Sequence, residues 1–335
     1  MGAFLRYFGG DDDVSGLEYF VKPFKELKRD LHQKNPWFTI DNVSFALRKW
    51  GELLKEEKLF NWVREYDLPV KQTKNVAIIM AGNIPLVGFH DFLCVLLSGN
   101  RSLIKTASGD DQILAFLCRA LVVLEPVLEE RIIFVDFPLK GFDAVIATGS
   151  NNTARYFEHY FRGSPQLIRK NRVSAAVLQG YESQEDLYGL VQDILRYFGR
   201  GCRSVSKVFI PLHYDLAGIF QVFNGESTVM GNSKYARNYD YYRAIYLLDE
   251  VSFKETGISL LREDTAYHSP ISVLFYEYYD DLQNVRERLE RDRHLLQCVV
   301  GRGVFRGEIP FGQAQCPTLT DYADGVDTMR FLEKL

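Results

Sequence analysis

Apolar residues along the chain follow two patterns, and each pattern predicts a different kind of element. In roughly the first seventy residues they recur at helical spacing, as in Val43, Leu47 and Trp50, and predict a mostly helical region. From Asn75 onward, short continuous apolar runs alternate with amphipathic stretches, as expected for strands separated by helices. This alternation predicts an α/β protein with a parallel sheet whose strands are covered on both faces.

Apolar runs in the first half of the chain are predicted to be strands of one sheet. They read NVAIIM, RSLIK, RIIFVDF, FDAVIAT and VSAAVL. Three of the runs lead into conspicuous polar or small residues, in the sequences AGNIP, TASGD and TGSNN. Because the carboxyl ends of parallel strands share one edge of a sheet, we expect these three strand ends to lie together, where such folds bind ligands.

The strand–helix alternation becomes looser beyond the glycines that precede Cys202, and this change predicts two domains in a chain of 335 residues. The predicted boundary falls at Gly199–Gly201. We predict a helical region with a dinucleotide-binding domain over residues 1–198, a catalytic domain over 199–310, and a tail over 311–335 that packs back near the cleft.

Composition excludes several classes of function. The net charge is −4 and no basic run occurs, so neither nucleic acid nor an anionic membrane is an expected partner. No apolar run reaches about 18 residues, so no membrane span is expected. The five cysteines are widely spaced and the sequence lacks a secretory h-region, which predicts a reduced, cytoplasmic protein. Without a CxxC pair, an HExxH motif or a histidine cluster, no metal site is expected.

Cys202 has the sequence environment of a nucleophile. It lies in FGRGCRSVSKVFIP, between a glycine-rich turn and an apolar run, and Arg200 and Arg203 flank it. Nearby cations favour the thiolate, and a glycine-rich corner leaves the sulfur approachable. The alternative is a small buried hydrophobe at a strand start, which is the commoner role of any single cysteine. Cys316 lies in a loop and is the rival nucleophile, whereas three cysteines in apolar runs are predicted to be core: Cys94, Cys118 and Cys298.

Four residues at strand ends are further candidates, and each also has a plain structural explanation. The Asn83 amide could donate to an oxyanion, or Asn83 could simply make a turn. Lys105 could pair with a ribose or a phosphate, or be an ordinary exposed lysine. Gly149 and Ser150 precede a predicted helix, whose N–H groups could hold a diphosphate, or they could form a plain turn.

The order and spacing of these segments resemble the aldehyde dehydrogenase superfamily. NVAIIMAGNIPLVGFHDFLCVLLSGNRSLIKTAS is similar to its first βαβ unit, ATGSNNTARYF to its Gly-Ser turn and FGRGCRSVSKVFIP to its nucleophile segment. GRGCRSVSKVFIP and PFGQAQCPTLTDYADGVDTMRFL together are similar to LuxC-like acyl-CoA reductases. The resemblance implies an aldehyde dehydrogenase-like fold, with a Rossmann-type parallel-sheet cofactor domain and a second α/β catalytic domain. It also implies catalytic roles for Cys202 and Asn83, and cofactor contacts from Lys105, Gly149 and Ser150.

Two departures from hydrolytic aldehyde dehydrogenases bear on the reaction. Ile168 stands where those enzymes carry a general-base glutamate, so transfer to or from a thiol is favoured over hydrolysis. Ser108 stands where an acid would repel a 2′-phosphate, so Ser108 is assigned to the cofactor site and NADPH is permitted. The implied reaction is reduction of a fatty acyl-CoA, or another acyl thioester, to the aldehyde through an acyl-cysteine.

Alternatives to this reaction remain on the sequence alone. NADH could replace NADPH. The same scaffold could reduce an acyl phosphate, or the chain could be a non-catalytic nucleotide-binding relative. Oligomers are common in the wider superfamily, so a homo-oligomer is left open.

Overall fold

The computed structural model describes residues 1–9, 18–107, 111–304 and 306–335. The chain forms two compact units. Unit 1 consists of Met1–Asn171 together with Thr318–Leu335, and unit 2 is Arg172–Pro317. No helix in the described ranges is long and apolar enough to cross a bilayer.

Unit 1 opens with helices and then alternates strands with helices, as the apolar pattern predicts. The helices are α1 Gly2–Gly9, α2 Glu18–Lys34, α3 Ile40–Leu53 and α4 Glu56–Val63. The alternating part is β1 Asn75–Ile79, α5 Phe89–Leu97, β2 Arg101–Lys105, α6 Asp111–Leu124, β3 Ile132–Phe134, β4 Ala144–Thr148, α7 Asn151–Tyr160 and β5 Gln166–Arg169. The strands pair in the order β3-β2-β1-β4-β5, and every pairing is parallel.

This order is that of a Rossmann-type sheet, in which the direction of winding reverses between β1 and β4. The predicted parallel-sheet cofactor domain is therefore confirmed as a fold. The predicted fifth strand of this sheet is wrong, because VSAAV pairs elsewhere and the fifth place is taken by QLIR. The strand β5 is short and carries a buried arginine, so its sequence lacks the continuous apolar run that marks its neighbours.

Unit 2 holds a second sheet with helices between most of its strands. Its elements are β6 Val173–Val177, α8 Gln184–Leu195, β7 Val205–Pro211, α9 Ala217–Gly225, α10 Ser233–Leu248, β8 Lys254–Glu255, β9 Leu260–Glu263, β10 Val273–Tyr279, α11 Leu282–Arg291 and β11 Leu296–Val300. The strand order is β11-β6-β7-β10-β9-β8, and only the pairing of β8 with β9 is antiparallel among the described strands. The second α/β domain is therefore confirmed as well.

The division between the units differs from the predicted boundary at residue 199. The chain enters unit 2 at Arg172, because β6 is hydrogen-bonded to β7 and β11. It leaves unit 2 at Pro317, so the predicted tail is shared between the two units and ends in α12, Thr328–Glu333, within unit 1. The local apolar pattern does not indicate which distant strands pair with one another, so it could not predict this division.

A buried arginine holds the C-terminal segment to unit 1. Arg169, on β5, makes two hydrogen bonds to the Asp91 carboxylate of α5, over 2.6 and 3.1 Å. Its guanidinium also donates to the Ala323 carbonyl (2.6 Å) and to Thr328 Oγ1 (2.7 Å). The Arg169 side chain is 3% exposed, so this network is withdrawn from water.

Candidate active site

The three conspicuous strand ends of unit 1 lie at one edge of its sheet, as predicted. β1 is paired in parallel with both β2 and β4, so the residues that follow these strands emerge side by side. Asn83 lies in the loop between β1 and α5 and is half-buried. Lys105 ends β2, and Gly149 and Ser150 join β4 to α7. The structure thus brings these four candidates to the edge at which open α/β sheets bind ligands.

Lys105 faces a cleft of about 440 Å³. Its Nζ lies 3.4 Å from Asp136 Oδ1 and donates to the Thr106 carbonyl over 3.3 Å. Arg119, from α6, and Phe134, from β3, line the same cleft. Two cations, one carboxylate and an aromatic ring suit an anionic, partly aromatic ligand. Ser108, the other predicted cofactor residue of this region, lies outside the described residues.

Gly149 and Ser150 form a tight N-terminal start for α7. The Ser150 Oγ accepts a hydrogen bond from the Thr153 N–H over 3.2 Å and so caps the helix. A Cβ placed on Gly149 would lie 2.9 Å from the Thr153 Cβ, which is too close for any side chain. The glycine therefore keeps the backbone of this turn bare, and N–H groups at a helix N-terminus attract anions.

Cys202 lies in the turn 201–204 between α8 and β7. The Ser204 N–H donates to the Gly201 carbonyl over 2.9 Å, and Ser174 Oγ donates to the Cys202 carbonyl over 2.9 Å. The Cys202 side chain is partly exposed. Cys202 lies within unit 2, which begins at Arg172 and not at the predicted boundary of Gly199–Gly201.

The other cysteines differ in exposure and in acidity. Burial raises the pKa of Cys94 well above its usual value and that of Cys118 to about 12, so both are core thiols as predicted. Cys316 is half-buried. Cys298 was expected in the core but is only partly buried, and its sulfur lies 3.1 Å from Ser174 Oγ.

The chain reaches the Cys202 turn through a strained backbone. Tyr197, Phe198 and Gly199 have φ values of 56°, 59° and 71°, which lie in the left-handed region that only glycine adopts readily. For the two aromatic residues this conformation costs on the order of 1–3 kcal/mol each. Both aromatic side chains are buried, at 6% and 7% exposed, and their packing holds the conformation. Such strain is typical of functional sites and has no signature in the sequence.

Sequence reasoning missed a buried carboxylate on α8. Asp193 is 1% exposed, and its two oxygens accept hydrogen bonds from the backbone N–H groups of Gly312 (2.7 Å) and Ala314 (2.9 Å). Burial raises its pKa to about 7, although both hydrogen bonds and the charge of Arg203 act to lower it. One signal was available: Asp193 interrupts the apolar face that Leu190 and Ile194 build on the same helix.

Comparison with known families decides the class of protein. Residues 66–216 match the family model of the acyl-CoA reductase LuxC. This segment, somewhat less than half of the chain, is similar to the LuxC acyl-CoA reductase family. It extends from before β1 to beyond β7 and therefore includes the candidate residues on both sheets. A comparison with curated proteins gave no match.

Solved structures similar to this chain have the aldehyde dehydrogenase fold. An acetylating aldehyde dehydrogenase from Geobacillus thermoglucosidasius is 11% identical with a TM-score of 0.60, over 90% of this chain and 75% of that one. Aldehyde dehydrogenase 21 from Physcomitrella patens is 10% identical with a TM-score of 0.61, over 90% and 72%. An indole-3-acetaldehyde dehydrogenase from P. syringae in complex with NAD⁺ is 13% identical with a TM-score of 0.58, over 90% and 71%.

These identities show the fold, and the family match supplies the enzyme class. Together they support an oxidoreductase of the acylating aldehyde dehydrogenase type.

Proposed function

We propose that the chain reduces a fatty acyl-CoA thioester to the aldehyde with NADPH, through a covalent acyl group on Cys202. The observation that carries the proposal is the partly exposed thiol of Cys202, in a turn that follows a strained backbone, within the segment that matches the acyl-CoA reductase family. The core thiols Cys94 and Cys118 have raised pKa values and are unsuited to the same role.

The first chemical step is transfer of the acyl group between two sulfurs. The Cys202 thiolate attacks the thioester carbonyl carbon, a new C–S bond forms, and the bond to coenzyme A breaks as coenzyme A leaves as its thiolate. We assign the Cys202 N–H as a donor to the oxygen that becomes negative during this step. The resemblance to aldehyde dehydrogenases implies that the Asn83 side-chain amide is a second donor. Ile168, where a general base would stand in hydrolytic relatives, is a partly buried hydrophobic residue and cannot activate water.

The residues of unit 1 fit a dinucleotide. The turn at Gly149 and Ser150 offers helix N-terminal N–H groups for a diphosphate. Glycine is needed at position 149 because a Cβ there would collide with the Thr153 side chain. Lys105 and Arg119 give the neighbouring cleft two cations against the single charge of Asp136, which favours the 2′-phosphate of NADPH over the bare ribose of NADH. When bound, the nicotinamide supplies the hydride that converts the acyl thioester to the aldehyde.

Intact-protein mass spectrometry tests the acyl-cysteine directly. The protein is mixed with a long-chain acyl-CoA and no nicotinamide, and wild type is compared with Cys202→Ala and with the matched control Cys298→Ala. A mass gain of one acyl group in wild type and in the Cys298 variant, absent in the Cys202 variant, supports the proposal. Addition of NADPH should then remove the acyl group and yield the aldehyde.

Other results would redirect the proposal. An adduct that persists in Cys202→Ala would move the nucleophile elsewhere. An adduct formed from acetyl phosphate but from no acyl-CoA would identify the substrate as an acyl phosphate. Absence of an adduct with every donor would indicate a protein that binds nucleotides without this chemistry.

A further inference from the structure

Residues 311–315, here called the strap, lie directly on α8 within unit 2. A Cβ placed on Gly189 of α8 would lie 2.8 Å from the Gly312 nitrogen and 2.8 Å from the Phe311 carbonyl carbon. Helix and strap therefore touch through their backbones. Gly312 itself has a φ of 78°, so this close approach depends on a glycine on each side.

The strap is also hydrogen-bonded to the turn that carries Cys202. Arg203 Nε donates to the Ala314 carbonyl, and Gln315 Nε2 donates to Ser204 Oγ over 3.1 Å. The same Ser204 oxygen accepts from the Gly201 N–H over 3.2 Å. Because Gly201 and Arg203 are the immediate neighbours of Cys202, the strap fixes the backbone on both sides of the thiol.

Asp193 joins the strap to the helix. Its Oδ2 accepts from the Gly312 N–H over 2.7 Å and its Oδ1 from the Ala314 N–H over 2.9 Å. A carboxylate can accept at both oxygens, whereas an asparagine would turn an NH₂ group toward one of the two N–H donors. The charged side chain that acts on Asp193 from a facing element is Arg203, in the turn itself.

We propose that Asp193 is a positioning residue for the Cys202 turn: it holds the strap on α8, and the strap in turn holds Arg203 and Ser204 around the thiol. Asp193 contacts backbone groups of the strap, and it acts on the chemistry through them. The inference depends on the proposed function only in taking Cys202 as the nucleophile.

Hydrogen–deuterium exchange tests this inference without any substrate. Asp193→Asn is compared with wild type and with Asp186→Asn, which alters a second buried carboxylate of α8 that is bonded to Ser183 and Arg302 and not to the strap. We expect exchange to become roughly 5- to 30-fold faster in the strap and in the turn 201–204 for Asp193→Asn only. Unchanged exchange in the strap, or a faster strap with an unchanged turn, would overturn the inference.

Kinetics add a readout that a purely structural role would not move. Asp193→Asn should lower kcat by about 10-fold or more and leave KM for the acyl-CoA within about twofold, because the thiol is mispositioned while the substrate surfaces persist. A changed KM with an unchanged kcat would contradict positioning. If wild type itself shows no reductase activity, the proposed function fails and the exchange comparison alone decides the role of Asp193.

A second variant covers the case in which Asp193→Asn does not fold. Gln315→Ala removes the bond from the strap to Ser204 and leaves both Asp193 hydrogen bonds in place. It should accelerate exchange in the turn and not at Gly312. Equal acceleration of exchange in the turn and at Gly312, or no acceleration at either, would contradict the proposal that the strap positions the turn.

Discussion

The buried pair of Asp91 and Arg169 offers the sharpest test of how unit 1 is held together. Asp91→Asn keeps the shape of the side chain and removes its charge, which leaves the 3%-exposed guanidinium of Arg169 without its counter-ion. Breaking a buried pair on one side costs about 3–5 kcal/mol. At roughly 2–4 °C per kcal/mol for a unit of this size, the melting temperature should fall by about 6–20 °C.

The assay is differential scanning calorimetry of the full chain, together with carboxypeptidase digestion. Arg169 also donates to the Ala323 carbonyl and to Thr328 Oγ1, so loosening Arg169 should expose the C-terminal segment to the enzyme. Glu52→Gln is the matched control. It breaks an ion pair with Lys55 in the same unit, but both of those side chains are nearly half exposed. Exposed pairs contribute little because water and salt screen them.

If Asp91→Asn lowers the melting temperature no more than the control does, the reasoning is refuted, because burying the unpaired Arg169 charge would then cost no stability. A double variant, Asp91→Leu with Arg169→Met, separates charge from packing. Well-packed apolar replacements of buried pairs are often tolerated. Here we expect only partial recovery, since the Ala323 carbonyl and Thr328 Oγ1 would both lose their donor.

Further predictions concern the strap, the cofactor cleft and the pH dependence of stability. Gly189→Ala places a Cβ 2.8 Å from the Gly312 nitrogen, should cost about 1–3 kcal/mol in a urea titration, and should speed exchange in the strap as Asp193→Asn does. Arg119→Gln should weaken NADP⁺ binding in equilibrium dialysis by roughly 10- to 100-fold and leave NAD⁺ binding unchanged, since it removes one charge-assisted hydrogen bond; equal losses for both would exclude a 2′-phosphate contact. Ser150→Ala should lower the free energy of unfolding by about 1 kcal/mol through the lost helix cap. The pKa of Asp193 is raised from 3.8 to about 7, so the folded state binds an extra proton between these values, and the free energy of unfolding of wild type relative to Asp193→Asn should rise as pH falls from about 8 to about 4. A flat difference in chemical denaturation across that range would contradict the burial of Asp193.

The sequence predicted those parts of the fold that have a local signature. The helical first region follows from apolar spacing, and the three strand ends follow from short apolar runs that end in small or polar residues. The capping box at Ser183 and Asp186 has such a signature too, a serine followed three residues later by an acid. Cys202 could be singled out because glycines and arginines mark its turn. The left-handed backbone conformation of Tyr197 and Phe198, which precede this turn, could not be predicted, because packing imposes it on residues that do not prefer it.

What the sequence could not predict depends on contacts between distant segments. VSAAV looks like one more strand of the first sheet, yet its partners are β7 and β11, and β11 lies far along the chain. An apolar strand covered on both faces fits either sheet, so its composition does not select one. The domain boundary was misplaced for the same reason. The roles of Asp193 and Arg169 could not be predicted either, because they depend on backbone groups that these side chains contact only in the folded chain.

Those two residues explain how the C-terminal segment is ordered although little of it is helix or strand. A backbone outside regular structure has N–H and C=O groups that need partners once they are buried. In unit 2, the Asp193 carboxylate accepts from the strap; in unit 1, the Arg169 guanidinium donates to the Ala323 carbonyl. Other contacts act with them. In unit 2, Arg203 donates to the Ala314 carbonyl, and in unit 1, the Tyr322 hydroxyl is hydrogen-bonded to Trp62 and Tyr66. Arg169 also contacts the sheet edge where the cofactor is proposed to bind. Its backbone carbonyl accepts a hydrogen bond from the Gly149 N–H over 3.3 Å. The long motif PFGQAQCPTLTDYADGVDTMRF thus shows little apolar periodicity, and it is held by backbone hydrogen bonds to these charges together with buried side chains such as Leu319 and Tyr322.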